Sequence, residues 1–215
     1  MRVSGKQVAK HRAALVETAK RLLKERGFDG AGVAEISREA GLTQGALYGQ
    51  FKSKDGLAAE AVRTALADGA AAWNELRDSA PDALSAYLDA YLSETHLTDV
   101  GSGCVVAACL SDVRRQDNAI GAAFTEGFST MVELMQHALS SAMPPETARR
   151  RALILISALV GSLAMARAVE ATDPRLAREI ISAARDELKQ LAVRCENMEP
   201  NATPEVWPGE TRSVR

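Results

Sequence analysis

The sequence predicts an all-α protein with an N-terminal three-helix unit followed by a larger helical unit. Three observations carry this. Apolar side chains recur at three- and four-residue spacings in segment after segment, nothing reads as a strand, and capping residues with Gly or Pro stops divide the segments from one another. With 215 residues, 47% apolar and 25% charged, the chain can bury a sizeable core. The expected division is residues 1–53, residues 54–196, and a proline-dotted tail, residues 197–215, that lacks an apolar stripe.

The first helix is expected from Gln7 to Arg26, burying Leu15, Ala19, Leu22 and Leu23, with Gly27 stopping it and Phe28 packing beneath the next segment. Met1 to Lys10 reads either as a frayed terminus or as a basic arm using Arg2, Lys6 and Lys10. Two short helices follow. Val33 and Ile36, then Leu42, Ala46 and Leu47, are apolar at helical spacing; Gly41 supplies the turn between them and Thr43 caps the second helix, Gln44 to Gln50. Ser53 caps a long fourth helix, Lys54 to Arg77, alanine-rich and anchored by Trp73. A fifth runs from Ser79-Ala80-Pro81-Asp82 to His96 with Tyr87 and Tyr91 one turn apart, and Thr98 to Gly103 is a loop. Helices are then expected at Cys104 to Arg115, Asn118 to Ser141, Glu146 to Val169, and from Thr172-Asp173-Pro174 onward, where Leu176, Ile180, Ala184, Leu188, Leu191 and Cys195 fall at regular intervals.

Val33 to Phe51 is a helix-turn-helix pattern, and Gly41 to Leu57, GLTQGALYGQFKSKDGL, resembles the recognition helix and hinge of the tetracycline-repressor (TetR) family of transcriptional regulators. The resemblance lies in Thr43 at the helix start, the Leu47-Tyr48 pair, Phe51 three residues after the tyrosine, and Lys54 opening the next helix. Two positions depart from it: Gln50 stands where the family often has His, and Ala31 where it often has Thr. Gln50 can still donate to a phosphate; Ala31 cannot.

Charge is distributed in keeping with this. Residues 1–56 hold 11 Lys/Arg against 6 Asp/Glu, and residues 57–215 hold 15 against 22, within a net charge of −2. A basic N-terminal part favours phosphate contact, and an acidic remainder disfavours it. Cys104, Cys109 and Cys195 lack metal-ligand spacing, and three histidines on separate helices make no zinc or catalytic constellation, so no metal, no cofactor and no enzyme activity are expected. No signal peptide opens the chain, and the cysteines read as reduced thiols in the cytoplasm. Ala152 to Ala166 is apolar nearly all round, but 15 residues fall short of the roughly 20 that cross a bilayer, so a buried or interface helix is expected and no membrane.

The resemblance implies a ligand-responsive repressor that binds double-stranded DNA as a homodimer and is released by a small, mostly apolar inducer. Gln44 is then expected at a base edge and Tyr48 at a phosphate or thymine methyl, with Thr43, Gln50 and Lys54 fixing the backbone. Gly45 and Gly49 carry no side chain to read bases, and either permit close approach or leave part of the readout to DNA shape. Trp73, Tyr87, Tyr91, Phe124, Phe128 and Met131 form the expected ligand site, together with Cys104. That cysteine reads either as a sensor thiol near a helix start or as an inert apolar residue. The dimer interface is placed on the last two helices, at Leu159, Leu163, Ile180 and Leu188. The alternative is a helical small-molecule-binding or interaction protein that does not bind DNA.

Overall fold

The computed structural model describes residues 4–140 and 143–193. Arg2, Cys195, Trp207 and the expected tail from residue 197 lie outside the described residues. Ten α-helices follow one another: α1 (Gly5–Arg26), α2 (Val33–Glu39), α3 (Gln44–Phe51), α4 (Lys54–Ser79), α5 (Ala83–Tyr91), α6 (Glu94–Thr98), α7 (Val105–Val113), α8 (Asn118–Leu139), α9 (Pro145–Glu170) and α10 (Pro174–Val193). No strand occurs among the described residues.

Local chemistry sets most of the helix ends. Ser4 caps α1 by accepting from the Gln7 N–H, so Lys6 and Lys10 stand on a helix rather than on a loose arm. Gly27, at φ +73°, ends it by donating to the Leu23 carbonyl. Asp173 Oδ1 accepts from the N–H groups of both Arg175 and Leu176, with Pro174 in the first turn of α10.

The expected fifth helix is in fact two. Leu92 leaves helical geometry at ψ 47°, Ser93 accepts from the His96 N–H at 3.1 Å, and α6 starts in a new direction. The interruption turns His96 back on α5, where its Nδ1 lies 2.7 Å from the Tyr91 carbonyl. Cys104, expected inside a helix, is the N-cap of α7 and makes no side-chain capping bond.

Two apolar clusters organise the molecule. The smaller joins α1, α2, α3 and the start of α4 through Leu15, Leu22, Ile36, Leu47, Phe51 and Leu57. The larger gathers α4 to α10 and also takes Leu23 and Phe28 from the α1 end. Phe28 therefore packs at the seam between the clusters rather than only beneath the helix-turn-helix. Helix α4 serves both cores, with Ala61 in the smaller and Val62 and Leu66 in the larger. Helix α1 makes a second link, since the Cys109 thiol of α7 donates to the Leu23 carbonyl at 3.6 Å. Where α8 meets α4, Gly127 is required: a Cβ there would stand 2.5 Å from Leu66 Cδ1.

Helix α9 is 26 residues long, enough by length and composition to cross a membrane, which the 15-residue reading of its apolar stretch did not anticipate. One face is buried between α8 and α10. This corrects the expected interface: Leu159, Leu163 and Leu188 are 2%, 0% and 7% exposed inside the chain's own core, and Ile180 is half-buried. The outward apolar side chains are Leu153, Ile154 and Met165 on α9 and Leu176 on α10. A helix apolar all round gives no register from sequence, and here the packing of α8 and α10 selects the inner face. On α10 the buried positions are Ala177 and Ile181, each one residue after the expected Leu176 and Ile180, and Leu188, which is on the expected stripe.

Candidate nucleic-acid interface and ligand cavity

Helix α3 is held from three sides and exposed on the fourth. Thr43 Oγ1 accepts from the Ala46 N–H at 3.2 Å, and Gly41, at φ +69°, forms the turn in which Leu42 N–H reaches the Ser37 carbonyl at 2.8 Å. Leu47 is fully buried and Phe51 nearly so. Arg12 of α1 lies over the Phe51 ring at 4.3 Å from its centroid, pairs with Glu60 of α4 at 3.1 Å, and donates to the Gln50 carbonyl at 3.4 Å. The guanidinium thus ties α1, α3 and α4 at one point. Thr43, Gln44, Gly45, Tyr48 and Gly49 share the free face, and Tyr48 is 51% exposed. A Cβ on Gly49 would meet nothing within 4 Å, and one on Gly45 only Thr43 Oγ1 at 3.8 Å. The protein's own packing therefore does not require glycine at either position.

The remaining positions expected at DNA are placed differently. Lys54 is half-buried in the first turn of α4, which Ser53 caps by accepting from the Gly56 N–H. Gln50 turns away from the free face, its Nε2 donating to the Val8 carbonyl at 3.2 Å, so it braces α3 against α1. Ala31 is buried in the smaller core, and α2 starts at Gly32 without a side-chain cap.

A cavity of about 790 Å³ lies between α1, α4, α5, α7 and α8. Of the side chains expected at a ligand, Trp73, Tyr87, Tyr91, Cys104 and Met131 border it. Trp73 and Tyr87 meet edge to face at 5.1 Å. Phe124 and Phe128 do not border it. They stack on each other at 6.1 Å nearer the start of α8, Phe124 being about two turns before Met131.

Sequence reasoning missed the polar part of the wall. Lys24 and Lys20 come from α1, whose expected role is only to support the helix-turn-helix, and His96 and Asp99 come from α6 and its C-cap. A lysine on the buried stripe of α1 is the one signal that pointed here: Lys20 is 8% exposed and pairs with Glu17 at 2.8 Å and with Asp68. Burial alone would lower its pKa, but the two carboxylates raise it. His96 Nε2 accepts from the Cys104 N–H at 2.9 Å, which fixes the neutral tautomer with the proton on Nδ1. Burial lowers the His96 pKa, and Arg167 and Lys24 add to the effect against the Tyr91 carbonyl. Burial also pushes the Tyr87 and Tyr91 phenols up, with Cys104 contributing. No group of three or more His, Cys, Asp or Glu among the described residues is arranged to hold a metal ion.

Comparison with known proteins agrees with this geometry. Residues 15–61 match the profile of bacterial regulatory proteins of the tetR family, and residues 80–177 match the C-terminal domain of LmrA/YxaF-like transcriptional regulators. An uncharacterised HTH-type transcriptional regulator of Mycobacterium tuberculosis is 27% identical over 165 residues, 73% of this chain and 84% of the relative. Among solved structures, the reduced form of Escherichia coli NemR superimposes with a TM-score of 0.72 at 22% identity, over 84% of this chain and 95% of that one. A transcriptional regulator from Pseudomonas aeruginosa PAO1 superimposes with 0.62 at 26% identity, over 88% and 93%. With the free face of α3 set on a helix-turn-helix, these matches show that the chain belongs to the TetR family of DNA-binding helix-turn-helix transcriptional regulators, which are not enzymes.

Proposed function

We propose that the protein is a cytoplasmic, ligand-responsive repressor that binds a pseudo-palindromic operator as a homodimer and releases it when a small, mostly apolar inducer enters the cavity. On this reading residues 1–53 bind DNA and residues 54–196 bind ligand and dimerise, with α1 closing one side of the ligand cavity. The observation that carries it is the cavity's position: its walls include α1 and α4, the two helices that Arg12 ties to the recognition helix. A ligand that fits better when either helix is displaced must, by linkage, bind the DNA-free protein more tightly. Thr43, Gln44, Gly45, Tyr48 and Gly49 are assigned to the groove and Lys54 to a phosphate, and Gln50 reaches a phosphate only by releasing Val8. The outward apolar face of α9 supports dimerisation, with Ile154 and Met165 at its centre.

Selection of bound sequences from a random duplex pool tests this directly. The expected result is an inverted repeat with half-site centres about one helical turn, roughly 34–36 Å, apart. Lys54→Ala should weaken all duplexes alike and make binding less steeply dependent on salt. Recovery of no repeat, with binding indifferent to sequence, would remove the repressor reading.

A further inference from the structure

Tyr91 and Lys24 border the cavity and Arg167 stands behind its wall, and each keeps a donor or a charge that no group among the described residues matches. The Tyr91 hydroxyl is buried, lies beside the Cys104 thiol, and makes no hydrogen bond of ordinary geometry. Arg167 reaches in from α9 behind Gly103, where a Cβ would come within 2.4 Å of its Nη2. Its Nη2 and Nε donate to the carbonyls of His96 and Leu97 at 2.5 and 3.3 Å, and its Nη1 is buried without a partner among the described residues. No carboxylate pairs with Arg167 among the described residues, nor with Lys24, which is half-buried on the α1 wall. Burial pulls both cations below their usual pKa ranges.

The nearby anion does not complete the set. Asp99 is close enough to influence both Lys24 and Arg167, yet its Oδ1 accepts from the Ser102 N–H at 3.1 Å and makes no ion pair with either. The other cations that α1 contributes to the wall are, by contrast, matched: Lys20 with Glu17 and Asp68, Arg21 with Glu25 and Glu39. Buried donors normally find acceptors, and a donor left without one is destabilising, more so when it is charged. On the cavity wall, Lys24 has no carboxylate partner among the described residues and the Tyr91 hydroxyl has no acceptor, while Arg167 adds positive charge from behind Gly103, and together these call for a group rich in acceptors and negatively charged. The rest of the wall is apolar, from Leu66, Trp73, Val105, Met131 and Met135.

We propose that the ligand of this cavity is an amphipathic organic anion, a carboxylate on an apolar body. Its negative group sits beside Lys24 and the Tyr91 hydroxyl in the field of Arg167, and its body lies along Trp73 and Met131. This rests on the ligand-responsive reading above and narrows it to a chemical class. His96 does not compete for the anion, since both of its ring nitrogens are occupied.

The test is calorimetric titration of the full chain with 2-naphthoate and 4-phenylbutanoate and with the primary amide of each. The anions should bind about tenfold or more tightly than their amides. Lys24→Met keeps the aliphatic stem, and should weaken each anion far more than its amide, bringing the two to within about threefold of each other. Tyr91→Phe should weaken the anions more than the amides. Lys24→Gln serves as a second variant if the first melts early. Amides that bind as well as the anions, or an anion preference that survives loss of Lys24, would overturn the assignment and leave a ligand cavity of another class. If no member of the panel binds at about 1 mM, the anion assignment falls, whereas the operator-binding reading above stands or falls on the duplex selection.

Discussion

The backbone N–H of Cys104 donates to His96 Nε2 at 2.9 Å, so the start of α7 is held by an imidazole that must stay neutral to accept that bond. The same ring reaches the Tyr91 carbonyl through Nδ1 and packs edge-on against the Tyr91 ring at 4.8 Å. One side chain thus fastens α5, α6 and α7 at the inner end of the cavity. Its folded pKa is lowered by burial, with Arg167 and Lys24 adding to the effect.

The sign of the pH effect follows. A histidine with a folded pKa below its unfolded value contributes stability that is complete above about pH 6.5, the unfolded value, and is lost as pH falls through the folded pKa. Melting temperature should therefore drop between about pH 7.5 and 5 in the wild type. His96→Gln should be less stable at neutral pH and show a shallower decline. Parallel pH profiles for the two proteins would show that His96 is not the titrating pin.

The free face of α3 separates stability from affinity. Glycine inside a helix costs roughly 0.5–1 kcal/mol relative to alanine, and neither Gly45 nor Gly49 is needed by its own surroundings. Gly49→Ala should raise the melting temperature by a few degrees and weaken operator binding, because the added methyl stands where DNA approaches. Tyr48→Ala should weaken binding with little change in melting. Leu47→Ala should instead destabilise the fold by about 2–5 kcal/mol, since that side chain is fully buried. Thermal melts beside operator titrations distinguish the three, and a Gly49→Ala variant with full affinity would place DNA on another surface.

On α9, neighbouring positions should behave oppositely. Ile154 is 56% exposed, so Ile154→Arg should give a folded monomer, visible as a halved mass in sedimentation with unchanged helicity. Leu163→Arg puts a charge into the core without a partner, and should unfold the chain. A dimer that survives both Ile154→Arg and Met165→Arg would place the interface elsewhere.

The two described cysteines should differ in reactivity. Cys104 borders the cavity, whereas the Cys109 thiol is buried against Leu23 and is pushed up to about 12 by burial, Asp112 and Cys104. Peptide mapping after brief iodoacetamide treatment should find Cys104 modified and Cys109 intact, with a cavity ligand protecting Cys104. Equal labelling, or no protection by a ligand that binds, would take Cys104 off the cavity wall.

What could be read in the sequence is what local chemistry decides. Gly27, Gly41, Thr43, Ser53 and Asp173 specify turns and caps through their own backbone or side-chain oxygens, and the helix ends they set agree with the structure. The inward turn of Leu47 and the exposure of Tyr48 follow from the spacing of Leu42, Ala46 and Leu47. The break at Leu92 is marked in the sequence only by Ser93, a capping residue that also occurs inside helices, and the Ser93 and His96 contacts show where the chain turns. Facing on α9 was not legible because a helix apolar on every side has no periodicity to read. The polar side of the cavity was hidden for a different reason: Lys24 on its wall and Arg167 behind Gly103 come from distant parts of the chain, and nothing local marks either as lacking a carboxylate partner. Phe124 and Phe128 share a helical stripe with Met131, but position along α8 decides which of them reach the cavity.

The most direct test of the central claim, that occupancy of the cavity controls DNA binding, uses Trp73 as its own reporter. Trp73 is one of two tryptophans, so in a Trp207→Phe background it is the only indole. It stands on the cavity wall and on α4, the helix that starts at the recognition motif. Titrating a ligand from the anionic panel should change Trp73 emission and release a fluorescent operator duplex over the same concentration range, with affinity falling about 5- to 150-fold at saturation. Trp73 emission that saturates while operator affinity stays unchanged would contradict the claim.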